Sequence, residues 1–409
     1  MNEITLTEFR EIFKFIIQNN RRLEDEGKKT TAVGLTSLPG LGKTMTVRQL
    51  AEELNMTCVI VRLSQIEEIG DISGFPIKEY EVLINGKQTW VSNDVLQAMS
   101  NCADHEFTGN SRMSYAPPAW LPREFNPNGT IVFLDDFNRC NSLIMNTIME
   151  IINEGKHVSW ELPKYTNIIL SANPDSGEFN VTSMDSAILS RYIDFNIKFS
   201  IDNFAEWAEA YGMDNRAINF SLYYSHELFD PTNPNHLATI NPRSYTTFTN
   251  VISGIDKWDR PENLALILNI SKGCFHDPDN VVGALFTNFI ANKLDKLVSP
   301  EDMLLKKWDT VKHEIAACVF DSNGDYHPEI AAVLNTRLLN YSVKYLTEGN
   351  KAAAVCDRLL ELVENSNSAV DKRLFSEDLL FSIIKTIVAK FPGQTNKMLL
   401  NPAIRKKVL

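Results

Sequence analysis

Five short apolar runs divide about the first 200 residues of the chain. Each run is rich in β-branched residues and bounded by glycine or polar residues, which is typical of strands buried in a parallel sheet. Between the runs, apolar positions recur at helical spacing. This alternation predicts an α/β domain whose parallel sheet is flanked by helices. The predicted strands are Thr31–Thr36, Thr57–Val61, Thr130–Leu134, Asn167–Ala172 and Ile193–Ile197.

The chain opens with a predicted helix over residues 5–26. Thr5 and Glu8 have the spacing of a capping box, which satisfies the first free amides of a helix. The apolar positions that follow share one helical face, and we expect this face to pack on the domain that the strands form. They are Phe9, Ile12, Phe13, Ile16 and Ile17.

The stretch between the second and third predicted strands, residues 64–130, is the least regular part of the first half. Residues Tyr80–Trp90, interrupted by Asn85-Gly86, predict a β-hairpin. Residues 91–102 then predict a helix. The proline-rich run Tyr115–Pro122 is incompatible with regular helix, because proline removes a backbone donor and clashes with the preceding turn.

Strand patterns stop beyond residue 200, and the rest of the chain has the spacing of helices joined by short turns. We therefore predict an α/β domain over residues 1–200, followed by helical regions over residues 201–305 and 306–409. No internal repeat or low-complexity segment interrupts this order.

The overall composition is that of a globular protein with an acidic surface. Of 409 residues, 44% are hydrophobic and 22% charged, and the formal net charge is −12. A negative net charge argues against broad, non-specific binding to nucleic acid, although a local basic pore stays compatible with it.

Cysteine and histidine spacing argues against a disulfide framework and a zinc site. The six cysteines lie far apart without a Cys-x-x-Cys pair, and the seven histidines show no metal-ligand spacing. The N-terminus lacks the plan of a signal peptide, and no apolar run is long enough to span a membrane. These patterns predict a soluble, cytoplasmic protein without a membrane partner.

The strongest candidate for chemistry is the loop Ser37–Thr44, which follows a predicted strand and opens a predicted helix. Strand, glycine-rich loop, lysine, threonine and helix in this order are typical of the phosphate-binding loop of nucleotide hydrolases. Gly40 and Gly42 allow consecutive amides to turn inward, and the helix N-terminus adds partial positive charge. A glycine-rich turn with a chance lysine is the alternative interpretation.

In such a loop, Lys43 reaches the β- and γ-phosphates of ATP and the Thr44 hydroxyl ligates Mg²⁺. The usual first glycine of the pattern is replaced by Ser37. The predicted phosphate-binding residues are Leu38, Pro39, Gly40, Leu41, Gly42, Lys43, Thr44 and Met45.

Two further strand ends carry polar side chains. Asp135 and Asp136 end the third predicted strand, and Asn173 ends the fourth. Ligands gather at the carboxyl ends of strands in open α/β sheets. We expect Asp135 to hold Mg²⁺, Asp136 to orient or activate the attacking water, and Asn173 to hold that water or contact the γ-phosphate. Taken alone, each could equally be a solvated strand end or turn cap.

In this order, the motifs resemble those of the MoxR-type branch of the AAA+ ATPases over about residues 30–300. The segment Leu134–Cys140 is similar to the family's Walker B motif with its Asn-Arg extension, and Ala172–Pro174 is similar to the end of its sensor 1 strand. Met184–Tyr192 resembles the stretch that ends in an arginine finger, and Asn241–Ser244 resembles the start of the sensor 2 helix.

The resemblance implies a five-stranded sheet in the AAA+ order and an ATP- and Mg²⁺-dependent motor. It implies that residues 1–200 form the nucleotide domain, residues 201–305 a helical lid and residues 306–409 a helical C-terminal extension. It also implies that Arg243 contacts the γ-phosphate from the lid and that Arg191 enters the neighbouring subunit's site. It further implies a ring, expected to be a hexamer, that remodels or matures a protein client or adaptor, often one with a von Willebrand factor A domain. Separate roles for Asn138 and Arg139 do not follow from it.

One residue departs from the family pattern, because Asp136 stands where the family carries glutamate. A carboxylate about 1 Å short of the water can cost roughly 100-fold in rate. Two alternatives to a motor therefore stay open: a nucleotide-gated scaffold with weak hydrolysis, and a nucleic-acid-acting AAA+ NTPase such as a translocase or a restriction-type GTPase. The acidic charge disfavours the second.

Overall fold

The computed structural model describes residues 3–99, 105–175, 181–229, 239–277, 279–291, 297–321, 323–367 and 373–408. Within these ranges the chain divides into two compact units, Met1–Phe199 and Ser200–Leu409. Among the described helices, none is long and apolar enough to cross a membrane.

A six-stranded parallel sheet forms the centre of the first unit, which confirms the predicted fold class. The strands are β1 (Glu3–Ile4), β2 (Ala32–Thr36), β3 (Thr57–Arg62), β7 (Thr130–Asp135), β10 (Thr166–Ala172) and β11 (Tyr192–Ile197). Their order across the sheet is β1-β11-β2-β10-β7-β3. The five predicted strands are all present, and β2, the first of them in the chain, lies between β10 and β11, the last two.

The sixth strand, β1, was not predicted. It has only two residues, Glu3 and Ile4, which pair in parallel with Asn196 and Ile197 of β11. A strand this short carries no hydrophobic periodicity, so no sequence pattern could have indicated it. Helix α1 (Leu6–Asp25) follows directly, and its N-terminus has the predicted capping box between Thr5 and Glu8.

Helices cover both faces of the sheet, because alternate strand residues point to opposite sides. On one face, Val33 and Phe133 lie in a core cluster with residues of α1 and α2 (Lys43–Glu53). On the other face, Val132 and Leu134 lie in a cluster with residues of α5 (Ser142–Glu154). The strands are therefore buried on both sides, as their continuous apolar sequences predict.

An antiparallel sheet is inserted between β3 and β7. The elements of this insertion are α3 (Gly70–Ser73), β4 (Phe75–Ile84), β5 (Lys87–Ser92), α4 (Asn93–Met99) and β6 (His105–Ala116), and the strand order is β5-β4-β6. The hairpin predicted at Asn85-Gly86 is confirmed, since both residues have positive φ and join β4 to β5. The third strand was not predicted. Helix α4 begins at Asn93 and not at residue 91, and residues 100–102 of the predicted helix lie outside the described residues.

A second hairpin lies between α5 and β10, formed by β8 (Lys156–His157) and β9 (Trp160–Glu161). The Ser159 hydroxyl at its turn accepts from the Tyr115 amide at 2.7 Å and donates to the Tyr115 carbonyl at 2.9 Å. These bonds attach the hairpin to the inserted sheet. Helix α6 (Ser186–Leu189) then precedes β11.

The described part of the second unit contains helices and no named strand. Its N-terminal half has an aromatic core in which Phe220, Tyr245 and Phe286 make ring contacts. The division predicted at residue 305 stays a prediction. The first six helices are α7 (Ile201–Tyr211), α8 (Asn215–Tyr223), α9 (Ser225–Leu228), α10 (Pro242–Ile252), α11 (Pro261–Phe275) and α12 (Val281–Ala291).

The remaining helices of this unit share one apolar cluster, which includes Leu334, Leu359 and Ile384. They are α13 (Pro300–Leu305), α14 (Trp308–Val319), α15 (Pro328–Thr347), α16 (Ala352–Asn367), α17 (Glu377–Lys390), α18 (Pro392–Thr395) and α19 (Pro402–Val408).

A buried polar cluster around Arg337 of α15 joins that helix to α7 and α8. The Arg337 guanidinium donates to Glu209 at 3.1 Å, to Asn219 at 2.8 Å and to Asn215. Arg337 is fully buried, and the second carboxylate oxygen of Glu209 is buried without a hydrogen-bond partner among the described residues. Burial raises the pKa of Glu209 from its ordinary 4.5 to about 7, against the opposing effect of Arg337.

We predict a pH-dependent stability from Glu209. Between about pH 4.5 and about pH 7 the folded carboxyl keeps a proton that the unfolded chain releases, so the free energy of unfolding falls as pH rises through this window. Glu209→Gln removes this dependence. The free energy of unfolding of the variant minus that of the wild type, measured by urea denaturation, should therefore be larger at about pH 8 than at about pH 5.

The matched control is Asp202→Asn, since Asp202 is an exposed acid at the start of the same helix. Its stability relative to the wild type should be the same at both pH values. A pH-independent difference for Glu209→Gln, or an equal pH dependence for both variants, would contradict the prediction.

Candidate active site

The loop between β2 and α2 has the backbone of an anion nest. Gly40 and Gly42 have φ values of 83° and 95°, which side chains other than hydrogen strongly disfavour. Gly42 is also the N-cap of α2 and offers no side chain to the first free amides. Those amides and the positive end of the helix dipole therefore stay available to an anion.

Lys43 and Ser37 are held together within this loop. The Lys43 ammonium donates to the Ser37 carbonyl and to the Ser37 hydroxyl, both at 2.9 Å. Ser37 is buried, and its amide donates to the Ala172 carbonyl at the end of β10 at 3.2 Å. The serine that replaces the usual glycine is thus a hydrogen-bond partner of the lysine and connects the loop to β10.

Asp135, at the end of β7, meets the phosphate loop. Its carboxylate accepts a hydrogen bond from the Thr44 hydroxyl at 3.1 Å and another from the Ser171 hydroxyl of β10 at 2.6 Å. Two residues separated by about 90 positions in the chain therefore contact each other. Hydroxyl and carboxylate oxygens are hard donors that suit Mg²⁺.

Asp136 has a left-handed backbone conformation, with φ 58° and ψ 43°. Such a conformation is uncommon for residues other than glycine and turns the side chain away from the direction of the strand. The Asp136 amide donates to the Ser171 hydroxyl at 3.0 Å. One serine therefore fixes both the Asp135 carboxylate and the backbone of Asp136.

The Asp136 carboxylate has a partner on each oxygen. The Asn173 side-chain amide donates to one oxygen at 3.1 Å, and the Ser64 hydroxyl donates to the other at 3.3 Å. The Arg139 guanidinium lies 3.8 Å from the second oxygen. Asn173, the predicted sensor, thus contacts directly the carboxylate of Asp136, which is predicted to activate the attacking water.

Asn138 holds the backbone of Asn173. The Asn138 side-chain nitrogen donates to the Asn173 carbonyl at 2.7 Å, and its side-chain oxygen accepts from the Asn173 amide at 3.0 Å. The Asn138 carbonyl accepts from the Thr182 amide at 2.7 Å, and the Thr182 hydroxyl donates to the Cys140 carbonyl at 3.0 Å. Asn138 and Asn173 are both buried.

The other predicted site residues lie outside this group of contacts. Arg191 follows α6 with an exposed side chain, and Met45 of α2 is exposed. Arg243 is an exposed residue near the start of α10, in the second unit. The roles of these residues stay predictions.

Three residues of the site were missed or left without a role: Ser64, Asn138 and Ser171. Ser171 carried a usable signal, because a hydroxyl inside a buried apolar strand requires a polar partner. Ser64 lies in an exposed turn after β3 and has no such signal.

Comparison with known proteins matches part of the first unit to a protein family. Residues 34–192 match the family model described as the AAA domain of the dynein-related subfamily. A search of the curated proteins found no match.

Solved structures that match the chain include the RuvB Holliday junction branch migration motor of Thermotoga maritima. It is 15% identical, with 80% of this chain and 89% of that chain covered and a TM-score of 0.32. An inferred ATPase from Cytophaga hutchinsonii is 13% identical, with 69% of this chain and 86% of that chain covered and a TM-score of 0.29.

The family match includes the end of β2 with its phosphate loop, the acids Asp135 and Asp136 at the end of β7, and Asn173 after β10. Residues 34–192 therefore have the P-loop AAA fold, and this match supports ATP hydrolysis as the activity.

Proposed function

We propose that this AAA+ protein is a ring-forming, Mg²⁺-dependent ATPase of MoxR type that remodels a protein partner. The observation that carries the proposal is the contact network in which Asp135 meets Thr44 while Asp136 meets Asn173. It brings metal-binding and water-activating groups to the phosphate loop of one subunit.

The first task of the site is to bind the phosphates of ATP. The loop amides around Gly40 and Gly42 receive the phosphate oxygens, and Lys43 exchanges its contacts with Ser37 for the β- and γ-phosphates. This exchange is favourable because a charged ammonium bonds more strongly to a phosphate than to a neutral carbonyl.

Thr44 and Asp135 are the residues that would hold Mg²⁺. The cation usually keeps several waters and binds through one or two carboxylates together with substrate phosphates, so this small donor set fits. When bound, Mg²⁺ neutralises charge that develops on the phosphoryl oxygens. Ser171 orients the Asp135 carboxylate for this role through its 2.6 Å hydrogen bond.

Asp136 and Asn173 act on the water. The Asp136 carboxylate accepts the proton of the attacking water, and the Asn173 amide keeps that carboxylate in place. Because the two side chains are hydrogen-bonded to each other and the backbone of Asn173 is held by the buried Asn138, the geometry is preorganised for attack.

The finer identity rests on the resemblance of Leu134–Cys140 and Met184–Tyr192 to MoxR-type motifs. From it we propose a hexameric ring in the cytoplasm, completion of each site by Arg191 of a neighbouring subunit, and Arg243 as the lid residue that contacts the γ-phosphate. The client or adaptor would be a protein, with a von Willebrand factor A domain as the first candidate.

A nucleotide-gated scaffold with slow hydrolysis is the second candidate function. It is favoured by the aspartate at position 136, which is one methylene shorter than the glutamate of the family pattern. Such a protein would bind ATP and assemble, and slow turnover would then set the lifetime of the assembly.

Lys43→Ala should abolish the stabilisation of the protein by Mg-ATP. The substitution removes the charge that binds phosphate, whereas Lys43 is only partly buried and contributes little to the core. At an ATP concentration of 100 times its Kd, bound ATP should raise the free energy of unfolding of the wild type by about 2.7 kcal/mol. The variant should lack the corresponding increase in melting temperature. Arg48→Ala, an exposed cation on the same helix, is the control and should keep the shift. A normal shift in Lys43→Ala would argue against the site.

Substitutions at Asp136 test hydrolysis. Asp136→Asn should bind ATP but fail to turn it over, because an amide cannot accept the proton while Asp135 and Thr44 are unchanged. Asp136→Glu should hydrolyse at least as fast as the wild type, and up to about 100-fold faster if the short carboxylate limits the rate. The measurement is steady-state phosphate release together with retention of bound ATP. Wild-type turnover in Asp136→Asn would assign the base to another residue.

Arg191→Ala should bind nucleotide normally but lose turnover by about 10³- to 10⁵-fold, the range known for arginine fingers. Mixing it with Lys43→Ala should restore part of the activity, because a Lys43→Ala subunit still lends its Arg191 to a neighbour with an intact phosphate loop. ATPase rates across mixing ratios test this, with mass photometry to verify mixed rings. Mixed rings without recovered activity would indicate a structural arginine, and a protein that stays monomeric with ATP would exclude the ring.

A further inference from the structure

We infer that Asn138 is a positioning residue for ATP hydrolysis, which it serves by fixing the backbone of Asn173 so that the Asn173 amide faces Asp136. The inference rests on the proposed function of this site. It assigns a role to the asparagine of the Walker B extension, for which the sequence alone gave none.

The first support is the completeness of the contact. Both backbone hydrogen-bonding groups of Asn173 are taken by one side chain, at 2.7 and 3.0 Å. A residue after the end of a strand normally loses the ladder bonds that fix its backbone. Here the Asn138 amide replaces those bonds, so Asn173 keeps a defined orientation beyond Ala172, where β10 ends.

The second support is the direction in which Asn173 is held. With its backbone fixed, the Asn173 side chain donates to Asp136 at 3.1 Å, while Asp136 and Asn138 lie in the same short turn. The contacts therefore form a closed loop from Asp136 through the turn to Asn138, across to Asn173 and back. Closed loops of this kind limit the displacement of each member more than single bonds do.

The third support is that the same turn also binds the segment leading to Arg191. The Asn138 carbonyl accepts from the Thr182 amide at 2.7 Å, four residues before α6 begins. This bond uses the backbone of Asn138, so side-chain substitutions leave it in place. A variant of the side chain therefore tests the contact to Asn173 alone.

The chain offers a matched control for this contact near the amino ends of the strands of the same sheet. Asn20 of α1 is buried to the same degree, and its side chain donates to the Thr31 carbonyl at 2.9 Å and accepts from the Thr31 amide at 2.8 Å. Thr31 precedes β2, at the amino end of the parallel strands, whereas the site lies at their carboxyl end. The Asn20 side chain also donates to the Asn167 side-chain oxygen at 2.9 Å, so Asn20→Ala breaks the same kind of contact and this additional bond, both away from the chemistry.

The test compares Asn138→Ala with Asn20→Ala in the full chain. Both should lower the melting temperature, because each leaves a buried amide and carbonyl without partners. Only Asn138→Ala should lower kcat, by about 10- to 100-fold, with KM for ATP unchanged, since the phosphate loop is not touched. Unchanged kcat in Asn138→Ala, or an equal loss of kcat in Asn20→Ala, would overturn the inference.

A double-mutant cycle separates positioning from independent catalysis. If Asn138 acts through Asn173, then Asn138→Ala combined with Asn173→Ala should have the kcat of Asn173→Ala alone. A further loss in the double variant would show that Asn138 acts by another route and would contradict the inference. If Asn138→Ala does not fold, Asn138→Asp serves instead, because it keeps the volume and the acceptor but cannot donate to the Asn173 carbonyl.

Hydrogen exchange gives a readout that needs no turnover. The amide of Asn173 should exchange faster in Asn138→Ala than in the wild type, and should be unaffected in Asn20→Ala. Unchanged protection at Asn173 would overturn the inference even if the wild type proves inactive. An inactive wild type with the expected exchange would instead count against the proposed function alone.

Discussion

The parallel register between β7 and β10 is the constraint on which the candidate site depends. Leu134 pairs with Leu170, and the residues that follow them are Asp135 and Ser171, which share a 2.6 Å hydrogen bond. Because side chains alternate along a strand, a slip of one residue would turn the Ser171 hydroxyl to the opposite face. The apolar residues on both faces of these strands make such a slip costly, so the packing of the core also sets the geometry of the site.

Neighbouring strands extend this arrangement to the phosphate loop. Ala172 pairs with Thr36 of β2, and its carbonyl accepts from the Ser37 amide where the loop begins. Strand β10 thus lies between the loop on one side and the acids of β7 on the other. The phosphate loop and Asp136 are therefore both hydrogen-bonded to the carboxyl end of β10, the end of the strands at which ligands bind in open α/β sheets.

The sequence predicted the parts of the site that depend on local pattern. The phosphate loop, the acids after β7 and Asn173 each follow a recognisable strand, and the five strands followed from their apolar runs. The features that could not be predicted depend on contacts between distant segments. These are the hydrogen bonds between the Asn138 side chain and the Asn173 backbone, the hydrogen bond from the Ser64 hydroxyl to Asp136, and the two-residue strand β1, which is defined only by its pairing with β11. Arg337 is a similar case, because an arginine in a helix gives no indication from sequence that it is fully buried.

Asp136 combines two features that act in opposite directions on catalysis. Its left-handed backbone costs about 1–3 kcal/mol and persists only because the surroundings enforce it, which is typical of functional residues. Its carboxylate, however, is one methylene shorter than the glutamate of the family pattern, and each oxygen already accepts from one donor, Asn173 or Ser64, so in the proposed reaction a water would share an oxygen with one of them. Ser64 is the weaker partner, because its hydroxyl lies 3.3 Å from the Asp136 carboxylate and belongs to an exposed turn. Asn173, in contrast, is buried, and its backbone is hydrogen-bonded to the Asn138 side chain. The water would therefore approach the oxygen that Ser64 occupies, and the firmly held Asn173 would keep the other oxygen fixed while the proton moves.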